Sequence, residues 1–239
     1  MSRPRYFATR DAQDPGRARL DAETARHLRS RRIDIGDNLY VILGPGEEYT
    51  ATLAATHRGG AIVETGTRRA PDGADPEWTT TLLLALADPP RLDLVTEKAT
   101  ELGATELVFF RAERSQQPGL AAKRRSRLER LARLAAEQCG RTTIPAIAEA
   151  PSLESALASL PAGIRRLAFS PEAKATEPAA PLTGPRAVLV GPEGGFSATE
   201  LRLIEAEGCE TLSLGPRILR FETAALAALA RWNGSSPSP

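Results

Sequence analysis

The chain has 239 residues, 41% of them hydrophobic and 26% charged, values of an ordinary globular protein that exclude a disordered chain. No apolar run approaches the ~18 residues a membrane span needs, and the opening MSRPRYFATR lacks the apolar stretch of a secretory signal, so a cytosolic protein is expected. The formal net charge of +1 conceals a segregation: residues 1–32 hold nine Arg against four acidic residues and residues 123–141 hold seven Lys/Arg against two Glu. Positive patches on a near-neutral chain suit a polyanionic partner, and solvated helix faces account for them equally well.

In chain order, RYFA (5–8), NLYVIL (38–43), YTATLAA (49–55) and AIVETG (61–66) read as short strands, interrupted by a helix-like AETARHLRS (22–30). Close strands with glycine between them predict a small β-barrel or sandwich. The Pro-, Gly- and Asp-rich APDGADPE (70–77) reads as a linker between a domain at 1–70 and another at 77–233. Beyond it the strands TLLLALA (81–87), ELVFF (106–110), AIAEA (146–150), RRLAFS (165–170), RAVLVG (186–191) and TLSLG (211–215) alternate with helical patterns. The helices are expected near 91–102, 120–138, 153–160 and 198–207, and from 222 onward. Short, continuously apolar strands between helices specify a parallel sheet covered on both faces. Residues 234–239 are expected to be disordered. Cys139 and Cys209 show no metal-ligand spacing, so no metal site is expected.

Two junctions stand out. VGPEGGFSATE (190–200) and LGPRILRFETAALAALA (214–230) each place Gly-Pro between a strand and a helix. Ser197 to Glu200 form a capping box, with Phe196 and Leu201 positioned as a hydrophobic staple. A cap does not call for Gly191, Gly194 and Gly195. Ligands bind beyond the carboxyl ends of strands in an open parallel sheet, and glycines let backbone approach them; a glycine-rich turn with an exposed Glu193 is the plain alternative. No phosphate-binding lysine follows, and Glu193 would repel phosphate, so a neutral or cationic ligand fits better. In the second junction Ile218 and Leu219 could wall a flat ring, bracketed by Arg217 and Arg220. Packing in the core or between subunits accounts for the alanine-rich helix that follows.

With EKATELG (97–103) and EQCGR (137–141), these junctions resemble the bacterial 16S ribosomal RNA uridine-N3 methyltransferase family, RsmE, of the SPOUT superfamily, over nearly the whole chain and in the family's order. The resemblance implies an α/β fold: a SPOUT-type parallel sheet with a C-terminal deep trefoil knot, preceded by a small PUA-like β-barrel domain. It implies S-adenosylmethionine held by Phe169, Ser170 and Pro171, by Gly191, Pro192, Glu193, Gly194 and Gly195, and by Leu214, Gly215, Ile218, Leu219, Arg220, Thr223 and Ala224. The implied partners are 16S rRNA or the small ribosomal subunit and a second copy of the chain, with no membrane and no DNA. Position 221 is Phe where the family commonly has Thr, and Arg91 stands in for a lysine usual before the TELG helix.

Methylating N3 requires removing its proton, and the resulting anion spreads onto the two carbonyl oxygens. A cation beside one of them would stabilise that charge, with Arg220 as the candidate. Glu193 and Glu222 are candidates to position the base or accept the proton. The structural alternatives are a salt bridge from Arg220 to a carboxylate and a helix-start role for Glu222. N3 lies on the Watson–Crick edge, so the base must be unpaired or flipped. Arg3, Arg5, Arg31, Arg32, Lys123, Arg124, Arg127 and Arg141 are the expected phosphate contacts. A ribose 2′-O-methyltransferase and a non-catalytic RNA-binding assembly factor are the rival readings.

Overall fold

The computed structural model describes residues 3–71, 75–180 and 182–233; the expected tail at 234–239 lies outside them. The chain divides into two compact units, one built from residues up to Asp75 together with Ala136–Ile144, the other from Pro76–Ala135 and the chain from Pro145 onward.

The first unit contains β1 (Arg5–Phe7), β2 (Thr9–Arg10), β3 (Arg17–Asp21), α1 (Ala22–Ser30), β4 (Asn38–Gly44), β5 (Glu47–His57) and β6 (Gly60–Arg69). The strand order is β1-β4-β5-β6-β3-β2, antiparallel except for the β1–β4 pair. In a flat sheet with strands ~4.8 Å apart the outer strands would lie roughly 24 Å from each other. Here those outer strands, β1 and β2, are separated in sequence by Ala8 alone, which allows Phe7 and Thr9 a Cα separation of at most about 7.6 Å. The sheet must therefore curl until its edges meet, and its inner face closes over Leu20, Leu28, Leu39, Val41, Leu53 and Val63. Asp21 caps α1, its carboxylate accepting from Thr24 N at 2.7 Å.

The stretch Ala136–Ile144, which lies within the 77–233 span, packs with this first unit. The Phe7 amide donates to Glu137 Oε1 at 3.0 Å, and the Gly46 amide to Thr142 Oγ1 at 2.6 Å. Asp75 accepts from the Thr142 and Thr143 amides, both at 3.1 Å, and from both hydroxyls. These partners are dozens of residues apart, so the pattern along the chain does not announce them.

The second unit follows the expected alternation: β7 (Thr80–Ala85), α2 (Pro89–Glu101), β8 (Glu106–Phe110), α3 (Ala122–Cys139, its last turn from Ala136 belonging to the first unit), β9 (Ala146–Ala150), α4 (Leu153–Ala158), β10 (Arg165–Phe169), β11 (Arg186–Val190), α5 (Ala198–Ala206), β12 (Glu210–Leu212) and α6 (Phe221–Asn233). Its strands pair in the order β12-β10-β11-β7-β8-β9, every pair parallel. Each residue of β7 and β11 is buried, as a sheet covered on both faces requires. The chain steps outward from β7 to β9, then crosses to the other side of the sheet for β10, β11 and β12. All the loops that follow these strands therefore emerge along one edge. Phe221, the departure from the family's Thr, is 5% exposed and part of the core of this unit.

Candidate active site

β10 and β12 are neighbours, with Leu167 opposite Glu210 and Phe169 opposite Leu212. The loops beyond their carboxyl ends form an open pocket lined by Phe169, Ser170, Pro171, Ser213, Leu214, Gly215, Arg217, Leu219 and Ala224. Its walls are largely apolar, with two hydroxyls and one guanidinium. The loops are stitched together by backbone: Ser170 N donates to Leu212 O at 3.1 Å, and Ser213 N to Ala175 O at 2.7 Å. Ser213 Oγ accepts from Gly215 N and donates to Gly215 O, both at 3.2 Å. Gly215 has φ +114°, which side chains disfavour. A Cβ there would meet nothing within 4 Å, so conformation rather than crowding demands the glycine.

Of the residues expected to hold a cofactor, Phe169, Ser170, Pro171, Leu214, Gly215, Leu219 and Ala224 line this pocket, whereas Gly191, Pro192, Glu193, Gly194, Gly195, Ile218, Arg220 and Thr223 do not. Ser213 and Arg217 line it without having been expected there. Arg217 lay in the same motif, and its position two residues beyond Gly215 was the available signal.

The glycines of the first junction have local causes. A Cβ on Gly191 would lie 3.0 Å from the ring of Phe196, which packs, 8% exposed, in the core. A Cβ on Gly194 would point at Arg114, 3.4 Å from its Cδ, and Arg114 donates to Gly194 O at 2.7 Å. Gly195 has φ +70°. The capping box is formed: Glu200 N donates to Ser197 Oγ at 3.1 Å, and Ser197 N to Glu200 Oε2 at 2.8 Å. The other carboxylate oxygen of Glu200 accepts from Glu113 N at 2.9 Å, tying the loop after β8 to the start of α5.

The two candidate carboxylates share one cation. Arg91, in the first turn of α2, pairs with Glu193, and its Nε lies 3.8 Å from Glu222 Oε2. Among the described residues Arg220 pairs with no carboxylate, unlike the salt-bridge alternative. The exposed Arg217 and Arg220 side chains make no ion pair or hydrogen bond among the described residues.

Two of the expected phosphate contacts need correction. Arg5, 8% exposed, faces the fully buried Glu48 with Nε 3.5 Å from Oε1. Arg141, 3% exposed, donates to Thr143 Oγ1 at 3.3 Å beside Asp75, and burial lowers its pKa. Neither can reach a phosphate from the interior. Arg124 and Arg127 both turn back onto Asp93, at 2.8 and 2.9 Å, and Arg124 also donates to Pro89 O. Arg31, Arg32 and Lys123 are exposed, and the exposed Arg3 lies over the Tyr40 ring at 5.9 Å.

Residues 75–233 match the family model described as an RNA methyltransferase domain, and residues 20–65 the one described as an RNA methyltransferase PUA domain. A Synechocystis protein named ribosomal RNA small subunit methyltransferase E is 32% identical over 213 residues, covering 84% of this chain and 67% of the relative. The Bacillus subtilis protein of the same name is 35% identical over 153 residues, 59% of each chain. The crystal structure of the Neisseria gonorrhoeae protein of that name, bound to S-adenosyl methionine, superposes with a TM-score of 0.87 at 29% identity over 96% of both chains. Among the described residues no helix is long and apolar enough to cross a membrane.

Proposed function

Because the chain belongs to the RNA methyltransferase family, and within it to the ribosomal RNA small subunit methyltransferase E group, we propose that it uses S-adenosylmethionine to methylate N3 of a uridine in 16S ribosomal RNA. The observation that carries this reading is the pocket between the loops after β10 and β12. Phe169, Pro171, Leu214 and Leu219 suit a flat, uncharged ring, and the backbone around Gly215 offers polar atoms at its edge. The walls hold no lysine of a phosphate cradle, in keeping with a ligand that has no phosphate.

When bound, the cofactor supplies a methyl group on a cationic sulfur. The chain's own residues do the rest. Arg220, exposed and uncommitted, meets the charge that develops on a uracil carbonyl as N3 loses its proton. Glu222, two residues before the pocket-lining Ala224, positions the base or accepts the proton; its Oε2 makes no hydrogen bond among the described residues and has Arg91 Nε 3.8 Å away. Glu193 is the anchor of its loop rather than a base. Exposed arginines of the β-unit hold RNA phosphates. The same reading carries a trefoil knot through the loops around β11 and β12, supported by the return of the chain past β11 and β10 to lay down β12. It also carries a cytoplasmic homodimer, supported by the family alone.

Incubating the chain with S-adenosylmethionine and small subunits that lack the modification, then analysing nucleosides by mass spectrometry, tests the proposal. 3-Methyluridine is expected. Ribose 2′-O-methylation would assign the rival enzyme class, and cofactor binding without transfer would leave an assembly factor.

A further inference from the structure

Arg91 serves carboxylates from two separate parts of the site. Glu193 belongs to the loop after β11, and Glu222 to the first turn of α6. Both reach the guanidinium presented by the start of α2. The Arg91 and Glu193 side chains are 39% and 41% exposed, but Glu222 only 18%, so one of the two carboxylates is largely removed from water. Unscreened by a cation, two carboxylates at one place disfavour each other's charge. A guanidinium holds its donors in a rigid plane and can serve two acceptors in fixed directions, which an ammonium cannot. The loop 214–220, which gives the pocket Leu214, Gly215, Arg217 and Leu219, runs directly into α6. Where the first turn of α6 sits fixes where that loop ends.

We propose that Arg91 is a positioning residue of the methyl-transfer site: it neutralises Glu193 and Glu222 together and so locks the β11–α5 loop and the start of α6 around the pocket. The inference rests on the pocket being the S-adenosylmethionine site. Arg91 does not line the pocket and acts through Glu222 and the loop that Glu222 terminates.

The test compares wild type with Arg91→Ala, Arg91→Lys and the double variant Arg91→Ala with Glu193→Gln. Each is measured for amide hydrogen exchange without ligand, S-adenosylmethionine affinity by calorimetry, melting temperature, and kcat and KM on ribosomal RNA. Arg91→Ala should speed exchange in 191–197 and 214–221 selectively and weaken cofactor binding by ~10-fold or more, because it strands a largely buried carboxylate. It should lower kcat while leaving KM for RNA within about threefold, since phosphate contacts carry most RNA affinity. Lys should restore only part of each effect. The double variant, which removes the repulsion between the two carboxylates but still leaves Glu222 without its cation, should recover cofactor binding only in part. Unchanged exchange in both segments with unchanged cofactor affinity would overturn the proposal. So would full rescue by Lys, or a drop in melting temperature with no exchange change confined to these segments. If Arg91→Ala does not fold, Arg91→Lys alone carries the comparison. If wild type itself binds no S-adenosylmethionine, the reading of the pocket fails, while exchange in the unliganded variants still decides whether the clamp exists.

Discussion

Arg217 and Arg220 are three residues apart in one loop, yet the first lines the pocket and the second does not. Their substitutions should therefore separate. Arg217→Ala is expected to weaken S-adenosylmethionine binding. Arg220→Ala should leave that binding nearly intact and slow single-turnover methyl transfer by ~100–1,000-fold, about 2.7–4 kcal/mol, as removal of one oxyanion donor does elsewhere. Lys at 220 should rescue in part, having charge without the planar fork. Calorimetry and rapid-quench kinetics on the two variants check this, and a joint loss of binding and melting temperature in Arg220→Ala would make it a structural residue instead. Gly191 offers a third single-residue test. Its missing Cβ makes room for Phe196, so Gly191→Ala should destabilise by ~1–3 kcal/mol through overpacking, read as a lowered melting temperature before any ligand is added.

At the scale of elements, the start of α5 shows what short sequence patterns carry. Four letters, Ser197 to Glu200, specify the capping box, and the structure has both of its bonds. Ser197→Ala should cost about 0.5–2 kcal/mol. Glu200→Ala should cost more, because it also strips the Glu113 amide of its acceptor, a bond spanning 87 residues that no local pattern encodes. Differential scanning calorimetry of the two variants gives the order. The apolar strands and periodic helices of the second unit were legible for the same reason as the cap, since each signal lies within one element. β2 and β3 were not read from the sequence, although β3 alternates exposed Arg17, Arg19 and Asp21 with buried Ala18 and Leu20; its charged face hides a strand pattern from a search for apolar runs. The pocket was half legible. Motif residues named the loops, but which side chains turn inward depends on how β10 and β12 pair. Asp75 shows the same limit in the linker. Burial would raise its pKa, but the Thr142 and Thr143 hydrogen bonds outweigh burial and lower it. A carboxylate depressed in the folded state stabilises fully above its unfolded value near ~3.9 and loses that contribution as pH falls through the folded value. Asp75→Asn should therefore lower stability at neutral pH and flatten the acid limb of the melting curve below about pH 4. An acid limb identical to wild type would mean the hydrogen-bonded loop contributes nothing.

For the whole molecule, the charge pattern of the sequence has to be corrected for where the charges point. Residues 123–141 look as basic as residues 1–32, but much of that charge is neutralised within the fold. Arg124 and Arg127 share Asp93, Arg125 pairs with Glu129 at 3.0 Å, and Arg141 is buried. Around the C-terminal end of α1 the situation differs: Arg29 and Arg32 are exposed, with no partner for either side chain among the described residues. A guanidinium already committed to a carboxylate releases few counterions from RNA, whereas an uncommitted one on the surface releases the counterions of the phosphate it meets. Binding of a 16S rRNA fragment, followed by fluorescence anisotropy across a series of KCl concentrations, should therefore respond unequally to the two regions. Arg29→Ala with Arg32→Ala should flatten the log–log salt slope by ~0.7–0.9 for each phosphate that the variant no longer holds. Arg124→Ala with Arg127→Ala should leave the slope unchanged. S-adenosylmethionine affinity should be the same in both pairs, because none of these residues lines the pocket. If the Arg124 and Arg127 pair flattens the slope instead, the bonds to Asp93 open when RNA binds, and the basic helix regains the phosphate-gripping role that its composition suggested.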